Sequence, residues 1–276
     1  MVTGMRGDRA RSDLAGTRFG DVRWIAETGS TNRDLLDLAA RGEAAGGVDG
    51  VVLVADHQTA GRGRLDRSWH APADGSLLLS VLFRPDPDAA RLLTTAVGVA
   101  AAEACRMVAD VAPQLKWPND LVVIAGDGAV RKLSGILAES TVTDGELDVV
   151  VVGLGLNVNW PTADAEELPD DLASTATALN HLCGHLVDRE ELLVALLQRL
   201  DHWCRQSSAD LLDRYRSLSA TIGARVSIDL GTGGTAEQVT GVAADVTDSG
   251  SLLVDVVGGP RREIVVGDVV HLRPLD

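Results

Sequence analysis

Compact apolar runs bounded by glycine, proline or an acid recur along this chain, and runs of that length predict buried strands. The clearest are 51–55 (VVLVA), 76–83 (SLLLSVLF), 132–139 (KLSGILAE) and 146–156 (ELDVVVVGLGL). Shorter extended pieces at 115–117 and 121–124 lie either side of Pro118. Other stretches carry helical spacing. Leu35, Leu36, Leu38 and Ala39 make one apolar face of a helix predicted over 33–41, with Ser30 or Thr31 as its cap. An alanine-rich helix is predicted over 92–111, stopping before Pro113. Leu192, Leu193, Leu196, Leu197, Leu200 and Trp203 line the inner face of a helix over 189–205, where Asp188 and Glu191 have capping-box spacing. A further helix follows at 209–218, and 164–175 reads as an acidic loop.

From Ile222 the texture changes. Short strands near 224–229, 238–245, 252–257, 263–266 and 269–272 alternate with Gly-rich turns, which indicates a small β-barrel or SH3-like module. The expected class is therefore α+β, with a boundary near Ser219: a larger domain over 17–219 and a β-domain over 220–276. Residues 1–16 are polar, Arg/Asp-rich and without the apolar core of a signal peptide, so they are expected to fray as a disordered tail.

Composition narrows the function. With 276 residues, 45% hydrophobic but only 3% aromatic, the core must be built from aliphatic side chains. A net charge of -15 argues against an extended nucleic-acid or anionic-membrane surface. Charged or glycine residues interrupt every apolar segment before it reaches membrane-spanning length. Cys105, Cys183 and Cys204 are odd in number and widely spaced, which suits reduced thiols in the cytoplasm. His181, Cys183 and His185 form an H-x-C-x-H run, yet on a helix Cys183 would point away from the histidine pair, and no further ligand is near.

Against that acidic background, Gly61-Arg62-Gly63-Arg64 with Arg67 and Trp69 concentrates positive charge on a loop following an apolar run. Glycine lets backbone amides approach an anion, arginine offers planar multi-donor recognition, and tryptophan adds a flat face. The alternative is a solvated basic turn. No Walker loop and no G-x-G-x-x-G after a strand occurs, so a phosphate here would rely on side chains and glycine amides. Lys116-Trp117-Pro118-Asn119-Asp120 is either turn chemistry around a core tryptophan or a lysine for phosphate and an aspartate for magnesium. Lys132 is either an edge guard or an ammonium for charge developing between a carboxylate and an α-phosphate. Gly153 and Gly155 are either strand kinks or room for a ligand across the sheet.

Taken in order, Ser30-Thr31-Asn32, QTAGRGR (58–64) with Arg67 and Trp69, KWPND (116–120), RKLSGILAE (131–139) and GLGLNV (153–158) resemble the biotin protein ligases. The resemblance runs from about Trp24 to the C-terminus. It implies a mixed central sheet with flanking helices, of the biotin ligase and class II synthetase-like kind, plus the SH3-like barrel. It implies biotin and ATP as substrates, Mg2+, and transfer through biotinyl-5′-AMP to a lysine of a biotin carboxyl carrier domain, as in acetyl-CoA carboxylase. Ser30, Thr31, Asn32, Gln58, Arg62, Gly63, Arg64, Lys132, Gly135, Gly153 and Gly155 match biotin-contacting positions. Arg62, Arg64, Arg67, Trp69, Lys116, Asn119, Asn157 and Arg273 fall to ATP and the adenylate, Asp120 to the metal, and Lys132 with Arg64 to catalysis.

One departure stands out: Leu65-Asp66 occupies a place where the family often has small or basic residues, and an acid there opposes phosphate unless it turns outward or pairs with Arg67. Too few residues precede Arg23 for the DNA-binding domain of some members, so a cytoplasmic ligase without nucleic-acid or membrane partners, monomeric or weakly dimeric, is expected. A lipoate ligase or lipoyl transferase is the competing enzyme, but its R-R-x-x-G-G-G stretch and downstream H-D are missing. A nucleic-acid-binding regulator is the competing non-enzyme, and the -15 charge opposes it.

Overall fold

The computed structural model describes residues 6–41, 49–65, 67–125, 128–161, 172, 175–230, 238–265 and 267–271. A seven-stranded mixed sheet forms the centre, in the order β1-β2-β3-β7-β6-β5-β4. Its strands are β1 (Val22–Thr28), β2 (Val52–Gln58), β3 (Ser76–Phe83), β4 (Gln114–Lys116), β5 (Asp120–Ile124), β6 (Val130–Thr143) and β7 (Glu146–Asn157). Only the β1–β2 pair is parallel. The apolar runs expected as strands are all strands, and β6 extends four residues beyond the predicted Glu139.

Alternation along β7 sorts the two faces. Val150, Val152, Leu154 and Leu156 point into the main core, which also holds residues of α4 (Leu93–Ala109), α6 (Arg189–Trp203) and α7 (Ser208–Leu218). Val149 and Val151 face the other way and pack with Leu35 and Leu38 of α2 (Thr31–Ala40). Each leucine fully withdrawn from water contributes about 2 kcal/mol, so α2 is pinned mainly by this face. Further along the same face the valines give way to Gly153 and Gly155. There the sheet has a hollow instead of a packed layer, and α2 begins at its rim.

Helix ends follow local chemistry. Asp188 accepts from the N–H groups of Glu190 and Glu191, and Ser207 accepts from Asp210 N–H. Ser30 is the N-cap of α2 by position but makes no side-chain cap bond. Among the described residues the remaining helices are α1 (Asp8–Asp13), α3 (Pro87–Ala90) and α5 (Leu179–Cys183).

The frayed tail expected over 1–16 is corrected for residues 6–16, while residues 1–5 lie outside the described residues. Ala10 and Leu14 are fully buried in the main core, Ala10 N–H donates to Glu190 Oε1 at 2.9 Å, and Arg6 pairs with Asp56. Two apolar residues four apart suffice to seat one helical turn, yet are too few to register as a period.

The C-terminal region is a five-stranded antiparallel sheet in the order β11-β10-β9-β8-β12. Its strands, β8 (Arg225–Asp229), β9 (Gln238–Val246), β10 (Leu252–Val256), β11 (Arg262–Ile264) and β12 (Asp268–His271), lie where the sequence predicted five. Among the described residues β11 and β12 are not paired, so hydrogen bonding does not close a barrel. The division near Ser219 falls between α7 and β8, but the two parts share one core: Val226, Ile228 and Ala243 belong to the same cluster as α4. Trp117 ties them together, accepting a place in the core while its backbone N–H donates to Thr221 Oγ1 and its indole N–H to Gly250 O, both at 3.0 Å.

Candidate functional site

The hollow over Gly153 is a cavity of about 130 Å³. Ser30, Thr31, Asn32, Gln58, Arg62, Gly63, Arg64, Lys132, Gly135, Gly153 and Gly155 all line it, with Arg67, Trp69, Asn119 and Asp120. Residues from five separate stretches of sequence thus converge on one place. The rim is the start of α2. Thr31 N–H donates to Gln58 Oε1 at 2.8 Å, and Thr31 Oγ1 lies 2.7 Å from Ser80 Oγ. Ser80 donates to Asn32 Oδ1 at 2.6 Å, while Asn32 Nδ2 donates to Glu139 Oε2 at 2.8 Å and Leu137 O at 3.2 Å. Asn32 lies close enough to the floor that a Cβ at position 153 would sit 2.3 Å from its Oδ1, so glycine is required there.

Residues 61–65 and 67–69 form the arms of a small hairpin, with Arg62 bridged to Ser68. Gly63 N–H donates to Arg67 O at 2.7 Å and Trp69 N–H to Gly61 O at 2.9 Å, with Leu65 at its turn in the left-handed region, φ 54°. The hairpin carries Arg62 to Glu139 at 2.8 Å and Arg64 to Asn119 Oδ1 at 3.3 Å, with Gly267 O of the C-terminal sheet at 3.5 Å. Asp66 lies outside the described residues, as does Arg273, so neither expected role is placed.

Trp69 occupies ground that the sequence reading assigned to biotin. Its indole lies over Gly155 and Gly135, where added Cβ atoms would stand 2.4 Å and 2.9 Å from ring carbons. These two glycines therefore make room first for the tryptophan. Beyond the ring is a second cavity of about 350 Å³, lined by Ser68, Trp69, His70, Lys132, Asn157, Trp160, Leu172 and Ala176. Two buried polar atoms there, Trp69 Nε1 and Asn157 Oδ1, have no hydrogen-bond partner among the described residues. Unpaired buried groups are costly, and a donor and an acceptor left open beside a cavity suit a ligand that supplies both. Asn157 is held for this by its Nδ2, which donates to Thr177 O at 2.9 Å.

Lys132 lines both cavities. Strict alternation would have put it on the core face, opposite to Gly135. A register shift between β5 and β6 pairs Leu121 with Ser134 and Val122 with Lys132, skipping Leu133, which is buried in the main core. This bulge reverses the parity and delivers the lysine to the cavity side. Its Nζ lies 2.7 Å from Asp120 Oδ1 and 5.6 Å from the centre of the Trp69 ring.

Two expected roles gain no support from this geometry. Lys116 sits on the edge strand β4 as the register partner of Asp120, but it lines neither cavity. Asp120 is paired with Lys132, and no group of three His, Cys, Asp or Glu side chains suited to a metal occurs among the described residues. The H-x-C-x-H run does not share one helix: α5 stops at Cys183, and Gly184 turns left-handed before His185. Ser80 and Glu139 are the residues that sequence reasoning missed. Ser80 was visible as the lone polar position inside an apolar strand, and Glu139 as the acid four residues beyond Gly135.

The chain is 39% identical over 269 residues to the biotin–[acetyl-CoA-carboxylase] ligase of Mycobacterium tuberculosis, covering 94% of this chain and 92% of that one. This chain belongs to the biotin protein ligase family. The Biotin/lipoate A/B protein ligase family profile matches residues 42–157, the stretch from before β2 to the end of β7. A second ligase of the same description, from Paracoccus denitrificans, is 31% identical over 263 residues, covering 88% of this chain and 99% of that one. Among solved structures, the biotin protein ligase of Aquifex aeolicus in complex with biotin and ATP superposes with a TM-score of 0.73 at 28% identity, covering 93% of this chain and all of that one.

Proposed function

We propose that this chain joins biotin to a lysine of a biotin carboxyl carrier domain, in two steps at one site and with MgATP as co-substrate. The observation that carries this reading is the pair of cavities meeting at Trp69 and Lys132. The first cavity, with its polar rim at α2, takes the biotin ring system. The second takes the adenine, with Asn157 Oδ1 accepting from the 6-amino group and the Trp69 indole as the flat wall between the two.

In the first step a biotin carboxylate oxygen attacks the α-phosphorus. The bond from that phosphorus to the bridging oxygen breaks, and pyrophosphate leaves with the electron pair. Both reactants are anions, so their approach needs fixed positive charge at the junction. Lys132 stands there, already desolvated on one side by its contact with Asp120, and its ammonium can donate three hydrogen bonds. Arg64 and Arg67 add charge from the hairpin. In the second step the acceptor lysine amine attacks the biotinyl carbonyl carbon, the bond to the phosphate oxygen breaks, AMP leaves, and the nitrogen loses its proton to solvent. The hairpin over the cavity keeps water from the mixed anhydride between the two steps.

Magnesium would accompany ATP and supply counter-charge to its phosphates. The acidic residues described here do not build a metal site of their own, and Asp120 serves as the counter-ion that orients Lys132. The -15 net charge fits a protein acceptor and disfavours nucleic acid. Among the described residues no helix is long and apolar enough to cross a membrane, and action in the cytoplasm as a monomer or weak dimer is part of the proposal.

The test is incubation with biotin, MgATP and a biotin carboxyl carrier domain, read by intact mass. One biotinyl group per carrier is expected, and none when lipoate replaces biotin. A carrier that gains lipoyl and not biotinyl mass would overturn the assignment.

A further inference from the structure

Glu139 stands outside every role described so far, yet one of its oxygens is the meeting point of the two walls of the first cavity. Its Oε2 accepts from Asn32 Nδ2 at 2.8 Å and from Arg62 Nη2 at 2.8 Å. Asn32 belongs to the rim at α2 and Arg62 to the hairpin, which lie 107 and 77 residues from Glu139 along the chain. We infer that Glu139 is a positioning residue, a latch that holds the entry arm of the arginine hairpin against the cavity and couples it to the biotin rim. This rests on the ligase reading only for its consequence in the reaction; the latch itself rests on the contacts.

Three features support it. The backbone bonds Gly63 N–H to Arg67 O and Trp69 N–H to Gly61 O are internal to the hairpin, so they shape it without attaching its entry arm to the sheet. Arg62 is 41% exposed and Glu139 24%, so the pair is accessible enough to open yet shielded enough to matter. Finally, Asn32 has both ends committed, with its Oδ1 accepting from Ser80 and its Nδ2 donating to Leu137 O and Glu139. A change at Glu139 is therefore transmitted to the orientation of Asn32, and through Ser80 and Thr31 to Gln58. A charged acceptor holding two donors from opposite walls binds each more firmly than a neutral one would.

The experiment uses Glu139→Gln, which keeps shape and an acceptor oxygen but removes the charge, on the full chain. Trypsin must take the Arg62 side chain into its own specificity pocket, so an arginine held by Glu139 is protected. Without any ligand, cleavage after Arg62, followed by mass spectrometry, should quicken about fivefold in Glu139→Gln, the order expected for loss of one partly exposed ion pair. Release of biotinyl-AMP should quicken by a similar factor, and Glu139→Asp should recover part of it. In the double variant with Arg62→Ala, release should be no faster than in Arg62→Ala alone, because both changes break the same latch. Cleavage after Arg62 at the parent rate, or release factors that multiply in the double variant, would overturn the latch. A parent chain that forms no biotinyl-AMP would instead sink the ligase reading, and the ligand-free cleavage rate would still decide the latch.

Discussion

Replacing Gly155 by alanine adds one methyl group and tests the placement of Trp69 directly. The new Cβ would stand 2.4 Å from Trp69 Cε2 and 2.7 Å from both Cζ2 and Nε1, distances that a Cβ does not tolerate to an unbonded heavy atom. Either β7 or the indole must yield. β7 is hydrogen-bonded on both sides, to β3 and to β6, whereas Trp69 sits at the foot of a surface hairpin. The ring therefore moves, and overpacking costs the fold only about 1 kcal/mol, the low end of its usual range. Function loses more. If the indole is the wall against which adenine stacks, displacing it forfeits about 1–3 kcal/mol, or about 5- to 150-fold in the KM for ATP. Biotin-dependent exchange of labelled pyrophosphate into ATP measures that constant. A melting temperature within a few degrees of the parent should accompany it, and Gly155→Ala in a Trp69→Ala background should add little. A parent-like KM for ATP in Gly155→Ala would refute the stacking role and the site plan built on it.

Lys132→Ala should lower the rate of biotinyl-AMP formation by about 10²- to 10³-fold, as for loss of a single charge-stabilising donor, while far-UV circular dichroism stays unchanged; adenylate formed at the parent rate would remove the lysine from the mechanism. The parent should discriminate against inosine triphosphate, which lacks the 6-amino group, by at least about tenfold, and Asn157→Ala should narrow that ratio in the same exchange assay. Stability should fall in acid through Glu103. Burial pushes its carboxyl up, but Trp203, Arg199 and Arg214, donating at 2.9, 2.7 and 2.8 Å, outweigh this and hold it below the usual carboxylate range. Its ionised form thus stabilises the fold above the unfolded value of about 4.3, and that contribution disappears as pH falls through the lower folded value. Melting temperatures below pH 4 should drop less steeply for Glu103→Gln than for the parent.

Most strands and the longer helices could be read from the chain because burial period is a local property: residues two or four apart share a face whatever lies beyond it; β1, α1, α3 and α5 were not among the elements it predicted. The parity of β7, with Val149 and Val151 followed by Gly153 and Gly155 on one side, already marked where a packed layer gives way to a hollow. The order of the polar motifs likewise pointed to one site, and every residue expected at biotin lines the first cavity. Local pattern failed where a single residue departs from its period or answers to a distant partner. The bulge at Leu133 turns Lys132 to the working face, against the alternation on either side of it. Trp69 fills the space above Gly135 and Gly155 because a loop folds back over a strand 86 positions further along. Lys116 is left outside both cavities although its register partner Asp120 lines the first, and Ala10 and Leu14 are buried in the main core, with α1 packed against α6. Hydrogen-bond partners such as Asn32, Ser80, Glu139 and Arg62 are selected by strand register and by the packing of α2, which are long-range geometric facts that no window of neighbouring residues contains.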